Sequence, residues 1–246
     1  MNTKIEYAIM GSDTNPMYID FWPLVSKVWK TVFNITPVLG LIGDEDSDFF
    51  EDEYGLIKKF KRVDGINTGL QSQIVRLFLP NHLEGNILLT DIDMLPMSKN
   101  YFIENIKQLS MDKFYVFSSD HKECLSNSEY PICYNFGHSD LFRKILNINI
   151  TWKEFVEYVN SLNFGWSSDQ KILFQKINEF KQTNPNTIEL LGRGWLPTGP
   201  ANCRIDRICW NYNPHLIKSQ HYIDCHMLRP YATYKNELDT LVSYLY

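Results

Sequence analysis

The chain has 246 residues, 44% hydrophobic and 14% aromatic, which excludes a disordered chain and allows one large α/β core or two small ones. Lys plus Arg total 24 against 29 Asp plus Glu, and a net charge of −5 argues against nucleic acid as a partner, since phosphate backbones call for a basic surface. The five cysteines form no Cys-x-x-Cys pair, which speaks against a zinc ribbon or a thioredoxin-like site.

In chain order, Tyr7–Met10 reads as the first strand, halted by the polar turn Gly11–Pro16. No secretory leader precedes it, and no apolar run approaches the ~20 residues that span a bilayer, so a cytoplasmic protein with reduced thiols and no transmembrane segment is expected. Phe21, Leu24, Val25, Val28, Trp29 and Phe33 recur at helical spacing over Met17–Phe33, with Pro23 either kinking that helix or marking its start. Pro37–Ile42 is a second strand, Gly43–Glu53 an acidic solvated loop, and Lys59–Val63 a short third strand. A helix over Gly69–Leu79 stops at Pro80 and leads into the apolar run Ile87–Leu89. Further strands are expected at Tyr115–Phe117, Ile132–Tyr134 and Ile188–Leu191, with helices at Ser139–Leu146, Trp152–Ser161, Ser168–Phe180 and Ala232–Tyr246. Trp166, Trp210 and Tyr212 read as core, whereas Trp195, in the Gly/Pro-rich loop Gly192–Pro200, is the aromatic best placed to stack a ligand. This alternation implies an α/β fold, a mostly parallel central sheet flanked by helices, in a single domain over residues 1–246.

The most specific segment is Asn86–Met94. Its apolar run suits a strand buried on both faces, and it ends in two carboxylates, Asp91 and Asp93, one residue apart. Two negative charges that close repel, and a divalent cation relieves the repulsion; Mg²⁺ and Mn²⁺ prefer carboxylate oxygens and keep positions open for phosphate. The guest implied is a nucleotide diphosphate. The same tripeptide also reads as an acidic turn after a strand. In parallel sheets ligands collect at carboxyl ends of strands, where Ser12 and Asp13 also fall, so both segments are expected to face one cleft. Arg76, a planar and permanent cation, suits phosphate.

Six segments then follow in a recognisable order: Ser12-Asp13-Thr14-Asn15 with Tyr18 and Pro23; Gln73–Pro80; Leu88–Asp93; Tyr134-Asn135-Phe136-Gly137; Ser168–Leu173; and His226-Met227-Leu228-Arg229-Pro230-Tyr231. Together they resemble a GT-A glycosyltransferase, closest to the family 8 enzymes related to glycogenin and bacterial galactosyltransferases. The resemblance implies that Ser12, Asp13, Asn15 and Tyr18 hold the base and ribose, that Ile92 and Arg229 join the nucleotide-sugar site, and that Arg76 faces the donor. It implies that Asp91, Asp93 and His226 hold Mn²⁺ or Mg²⁺, that Asn135 and Gly137 form a turn in the sugar pocket, that Asp169 binds sugar hydroxyls, and that Gln170 lies beneath the anomeric carbon. Arg229 and Tyr231 stand where the family usually has lysine and tryptophan, and His138 replaces a small aliphatic residue. The spacing from His226 to Pro230 is short, and His221 restores a longer one, so the third metal ligand is His226 or His221, with His226 favoured by a strand ending near Asp224.

The expected activity is metal-dependent transfer of a hexose from a nucleotide-diphosphate sugar, a UDP-hexose, to an acceptor hydroxyl on a glycan or other molecule. The family retains anomeric configuration; inversion would need a carboxylate base, for which Asp140 or Asp169 could serve. Two other readings are a metal-dependent sugar nucleotidyltransferase, for which Gly11-Ser12-Asp13 lacks a basic glycine-rich loop, and a catalytically silent glycan-binding protein of the same fold.

Overall fold

The structure is a computed structural model and describes residues 3–192 and 203–246. The N-terminal half alternates strand and helix: β1 (Tyr7–Ser12), α1 (Pro16–Ile19), α2 (Trp22–Thr31), β2 (Thr36–Gly43), β3 (Phe50–Glu51), β4 (Leu56–Lys61), α3 (Thr68–Phe78) and β5 (Asn86–Leu89). Next come β6 (Met94–Pro96), β7 (Phe114–Val116), α4 (Lys122–Ser126), β8 (Asn135–His138), α5 (Ser139–Leu146), α6 (Trp152–Ser161), α7 (Ser168–Thr183) and β9 (Ile188–Leu190). The chain closes with β10 (Arg204–Asp206), α8 (Pro214–Lys218), β11 (Asp224–His226) and α9 (Tyr231–Ser243).

Among the described residues the large sheet runs β3-β4-β2-β1-β5-β8-β7-β9. Strands β4, β2, β1 and β5 are parallel; β8 is antiparallel to both of its neighbours, and β9 is parallel to β7. All four residues of β5 are buried, which explains its unbroken apolar run. Helix α3 packs on β1 and β2, and the approach is close enough to dictate glycine. A Cβ at Gly11 would lie 2.1 Å from the Ser72 carbonyl oxygen, and one at Gly40 would lie 2.8 Å from Val75. The helix starts at Asn67, whose side chain accepts from the amides of Gly69 and Leu70, and α6 starts in a reciprocal cap between Thr151 and Glu154.

A second, three-stranded sheet has the order β10-β11-β6. Arg204 on β10 pairs with Asp224 on β11 at 2.6 and 2.8 Å, and the Tyr134 hydroxyl donates to the same carboxylate at 2.9 Å. This sheet ties the segment after Asp93 to the C-terminal region.

Four expectations shift. The Met17–Phe33 helix is two helices, with Pro23 in the first turn of α2, where its missing N–H costs nothing. The Ile132–Tyr134 strand lies three residues later, at β8, because Asn135–His138 are the residues that pair with β5. The third strand, expected at Lys59–Val63, covers Leu56–Lys61. The acidic loop contains β3, a two-residue edge strand antiparallel to β4. No helix among the described residues is long and apolar enough to cross a membrane.

Candidate active site

The carboxyl ends of β1 and β5 open into a cavity of about 600 Å³. Its first wall is the segment after β1. Ser12 is 1% exposed at the strand end; Asp13 accepts from the Asn15 amide at 3.0 Å and from the Thr68 hydroxyl at 2.7 Å, tying the loop to the start of α3. Asn15 caps α1, which carries Tyr18. Arg229 lies 5.3 Å above the Tyr18 ring and donates to its hydroxyl at 2.6 Å, bringing the C-terminal segment onto this wall.

The floor is built around Arg76, whose side chain is 7% exposed. It donates to Asp91, to Asp169 at 2.6 Å, to the Thr90 carbonyl at 3.1 Å and to the Gln73 carbonyl at 3.2 Å. One guanidinium thus fastens the end of β5 to the start of α7. Burial pushes the Asp169 carboxyl up from its ordinary value; Arg76 and the backbone amide of Gln170, which donates at 2.9 Å, oppose the push. Asp91 also accepts from the Cys133 thiol at 3.0 Å, and burial raises that thiol to about 12, so it stays a protonated donor.

The second wall comes from the small sheet. Met94, one residue past Asp93, is paired with His226, and the Met227 amide donates to the Asp93 carbonyl at 3.0 Å. His226 Nε2 therefore sits 3.5 Å from Asp93 Oδ2, with Nδ1 3.4 Å from Asp206 Oδ2. Desolvation is the largest influence on this imidazole and lowers its pKa, favouring the neutral form that can ligate a metal. Arg207 donates to Asp93 at 2.7 Å through Nη2, while its Nη1 is buried without a hydrogen-bond partner.

Of the expected site residues, Ser12, Asp13, Asn15, Tyr18, Arg76, Asp91, Ile92, Asp93, Asp169, Gln170, His226 and Arg229 all line this cavity. Asn135 and Gly137 do not. They belong to β8 rather than to a turn: Asn135 Nδ2 donates to the carbonyls of Pro131 and Ile132 while its Oδ1 is buried without a hydrogen-bond partner, and a Cβ at Gly137 would press on the Phe114 ring at 2.9 Å. Packing against an aromatic ring is what this glycine allows. His221 stands away from the cavity with its Nε2 3.6 Å from the Cys203 sulfur. Asp140 is bonded to Arg143 beside His138, which pairs with Asn86 at the opposite end of β5 from Asp91. Trp195 falls outside the described residues. Trp166, expected in the core, is 70% exposed and lines the cavity.

A divalent ion fits part of this donor set. Asp93 and His226 offer oxygen and nitrogen 3.5 Å apart, a separation one ion with ligands at about 2.1 Å can bridge. The Asp91 carboxylate is turned toward Arg76 and Cys133. Among the described residues Glu84, His138 and Asp140 are close enough to share an ion, but Arg143 already bonds both carboxylates there. Arg207 is the functional candidate that sequence reasoning missed. Its signal was a charged residue just past the short strand Arg204-Ile205-Asp206, the same pattern that marks Asp91, but three residues are too few to reveal a strand.

The architecture is the GT-A fold. The galactosyltransferase LgtC, solved in complex with donor and acceptor sugar analogs, matches with a TM-score of 0.51 and 10% identity, over 97% of this chain and 95% of that one. A glycosyltransferase involved in glycosylation of the major capsid of PBCV-1 gives 0.48 and 14%, over 96% and 99% of the two chains. The glycosyltransferase GlyE of Streptococcus pneumoniae TIGR4 gives 0.46 and 10%, over 98% of this chain and 60% of that one. No family model and no curated protein matches the sequence.

Proposed function

We propose that the protein is a metal-dependent glycosyltransferase that moves a hexose from a UDP-sugar to an acceptor hydroxyl with retention of configuration. The observation that carries this reading is the convergence in one cavity of the β1 loop, the Asp91–Asp93 pair, His226, Arg76 and the Asp169-Gln170 helix start. In this reading Asp13, Asn15 and Tyr18 hold the uridine, and Arg229 supplies fixed positive charge toward the diphosphate. Asp93 and His226, with Asp91 after it exchanges partners, would hold Mn²⁺ or Mg²⁺. Bound there, the ion supplies Lewis-acid neutralisation of the leaving diphosphate.

Asp169 and Gln170 orient the hexose, with Arg76 fixing the Asp169 carboxylate. The bond from the anomeric carbon to the phosphate oxygen breaks as the bond to the acceptor oxygen forms. The diphosphate keeps the electron pair, and the acceptor proton passes to a phosphate oxygen. Retention is favoured because neither candidate base for inversion is free: Asp140 lies outside the cavity, and Asp169 is 2% exposed and held by Arg76.

The test is incubation with UDP-hexoses and Mn²⁺. Slow UDP release with a preference among sugars is expected, and NMR of the product should give the donor's anomer. Failure to bind UDP in the presence of Mn²⁺, or formation of UTP and hexose 1-phosphate when pyrophosphate is added, in place of UDP release, removes the reading.

A further inference from the structure

We propose that Trp166 is the acceptor platform, a flat surface on which a pyranose ring stacks, so that the acceptor is a carbohydrate. The inference rests on the donor site above and names what that site serves. Trp166 is 70% exposed yet lines the cavity, while Trp22, Trp29 and Trp152 are buried. So much exposed indole is unfavourable unless a ligand covers it, and a ligand with one apolar and one polar face suits a ring at the edge of a polar pocket.

The turn that carries the ring is fixed at several points. The ring sits on the turn Gly165–Ser167, which enters through left-handed backbone at Asn163 and Gly165. The Ser168 hydroxyl donates to the Gly165 carbonyl at 2.7 Å, and the Lys171 ammonium donates to the Phe164 carbonyl at 3.3 Å. One edge of the indole faces the start of α3, with Cζ3 4.0 Å from where a Cβ on Gly69 would be. Pinning of this kind lowers the entropy lost on stacking.

Depth gives the platform its role. Asp169, 2% exposed, begins the floor on which the hexose would lie, and Trp166 stands three residues earlier at the solvent side. An acceptor approaching Gln170 from solvent passes the indole. Charge narrows the class further. Among the described residues the cations lining the cavity are Arg76, Arg207 and Arg229, and each is bonded to Asp91 and Asp169, to Asp93, or to Tyr18. Beside Trp166 itself, Lys171 is spent on the Phe164 carbonyl and lies 3.9 Å from Glu129, so a phosphate-bearing acceptor would have to break an existing pairing to be met there.

The experiment compares wild type, W166A and W166F with UDP-glucose and UDP-galactose. The acceptors are methyl glucopyranosides, maltose, cellobiose and lactose, set against a serine-containing peptide and farnesyl phosphate. Calorimetry of UDP with Mn²⁺ is run on all three proteins. A saccharide should accelerate UDP release by wild type. W166A should raise the saccharide KM roughly tenfold, with a smaller effect on kcat, and W166F should recover most of the loss. Saturation-transfer NMR should lose the saccharide's ring-proton contacts in W166A. Unchanged KM in W166A, acceleration by the peptide or prenyl phosphate alone, or no saccharide acting although UDP binds, each overturns the platform. Loss of UDP affinity in W166A also overturns it, because the indole would then stack the base. Failure of wild type to bind UDP at all strikes the donor reading instead.

Discussion

Replacing Arg76 by methionine removes the cation that two carboxylates share. Asp169 is 2% exposed and donor-matched to Arg76 at 2.6 Å, whereas the Asp91 side chain is 34% exposed and can turn to water. Most of the cost therefore falls on Asp169, as the survivor of a broken buried pair, for which about 3–5 kcal/mol is typical. For a chain of this size, about 3 kcal/mol corresponds to a fall of roughly 6–12 °C in Tm.

The penalty also depends on pH. Burial already holds the folded pKa of Asp169 above its unfolded value, so its contribution is fully present below the unfolded carboxylate range and is lost as pH rises through the folded value. Without Arg76 the folded value moves higher still. The deficit of R76M should consequently be smaller at pH 5 than at pH 8. Urea melts of wild type, R76M, D169N and R76M/D169N across that range are the assay. The double variant should be more stable than R76M at pH 8, because no buried charge is left alone. A loss below about 1 kcal/mol in R76M, flat with pH, refutes the shared-cation account.

Asp93→Asn should keep the circular dichroism of wild type yet lose the Mn²⁺-dependent rise in Tm on adding UDP; at a hundredfold excess over Kd that rise is roughly 5–10 °C in wild type. Among the thiols, Cys209 is exposed and should react with iodoacetamide at pH 8, whereas Cys133, held near 12 by burial, and Cys225, raised by the same cause, should label only on unfolding; mass spectrometry reads the order. Gly11→Ala puts a methyl 2.1 Å from the Ser72 carbonyl, so α3 must move off β1, and a loss of 2 kcal/mol or more in urea melts is expected.

The strands β1, β2 and β5 and the helices α3, α5, α6 and α7 were readable because each repeats its apolar residues over several turns or over a fully buried run. The Asp91–Asp93 pair was readable because charge at the end of such a run is costly and conspicuous. The small sheet was not. Its strands have three residues each, too short for a period, and they are held by the Arg204–Asp224 pair and by partners far away in the chain. Arg207 was lost with it. Asn135 and Gly137 misled for a related reason: asparagine and glycine favour turns locally, but pairing with β5 and contact with Phe114 override that preference. Trp166 misled because an indole usually belongs inside, and only its position on a turn facing the cavity shows otherwise.

Because Met94 is laddered to His226 and the Met97 amide donates to the Ile223 carbonyl at 2.9 Å, two stretches remote along the polypeptide share a single mechanical frame. A slip of one place in that frame would swing the imidazole to the far side. Lengthening or shortening the loops that join the elements between Met97 and β10 need not do so. The corner that sets Asp93 against His226 is thus insulated from changes of loop length elsewhere, leaving the intervening loops open to new recognition.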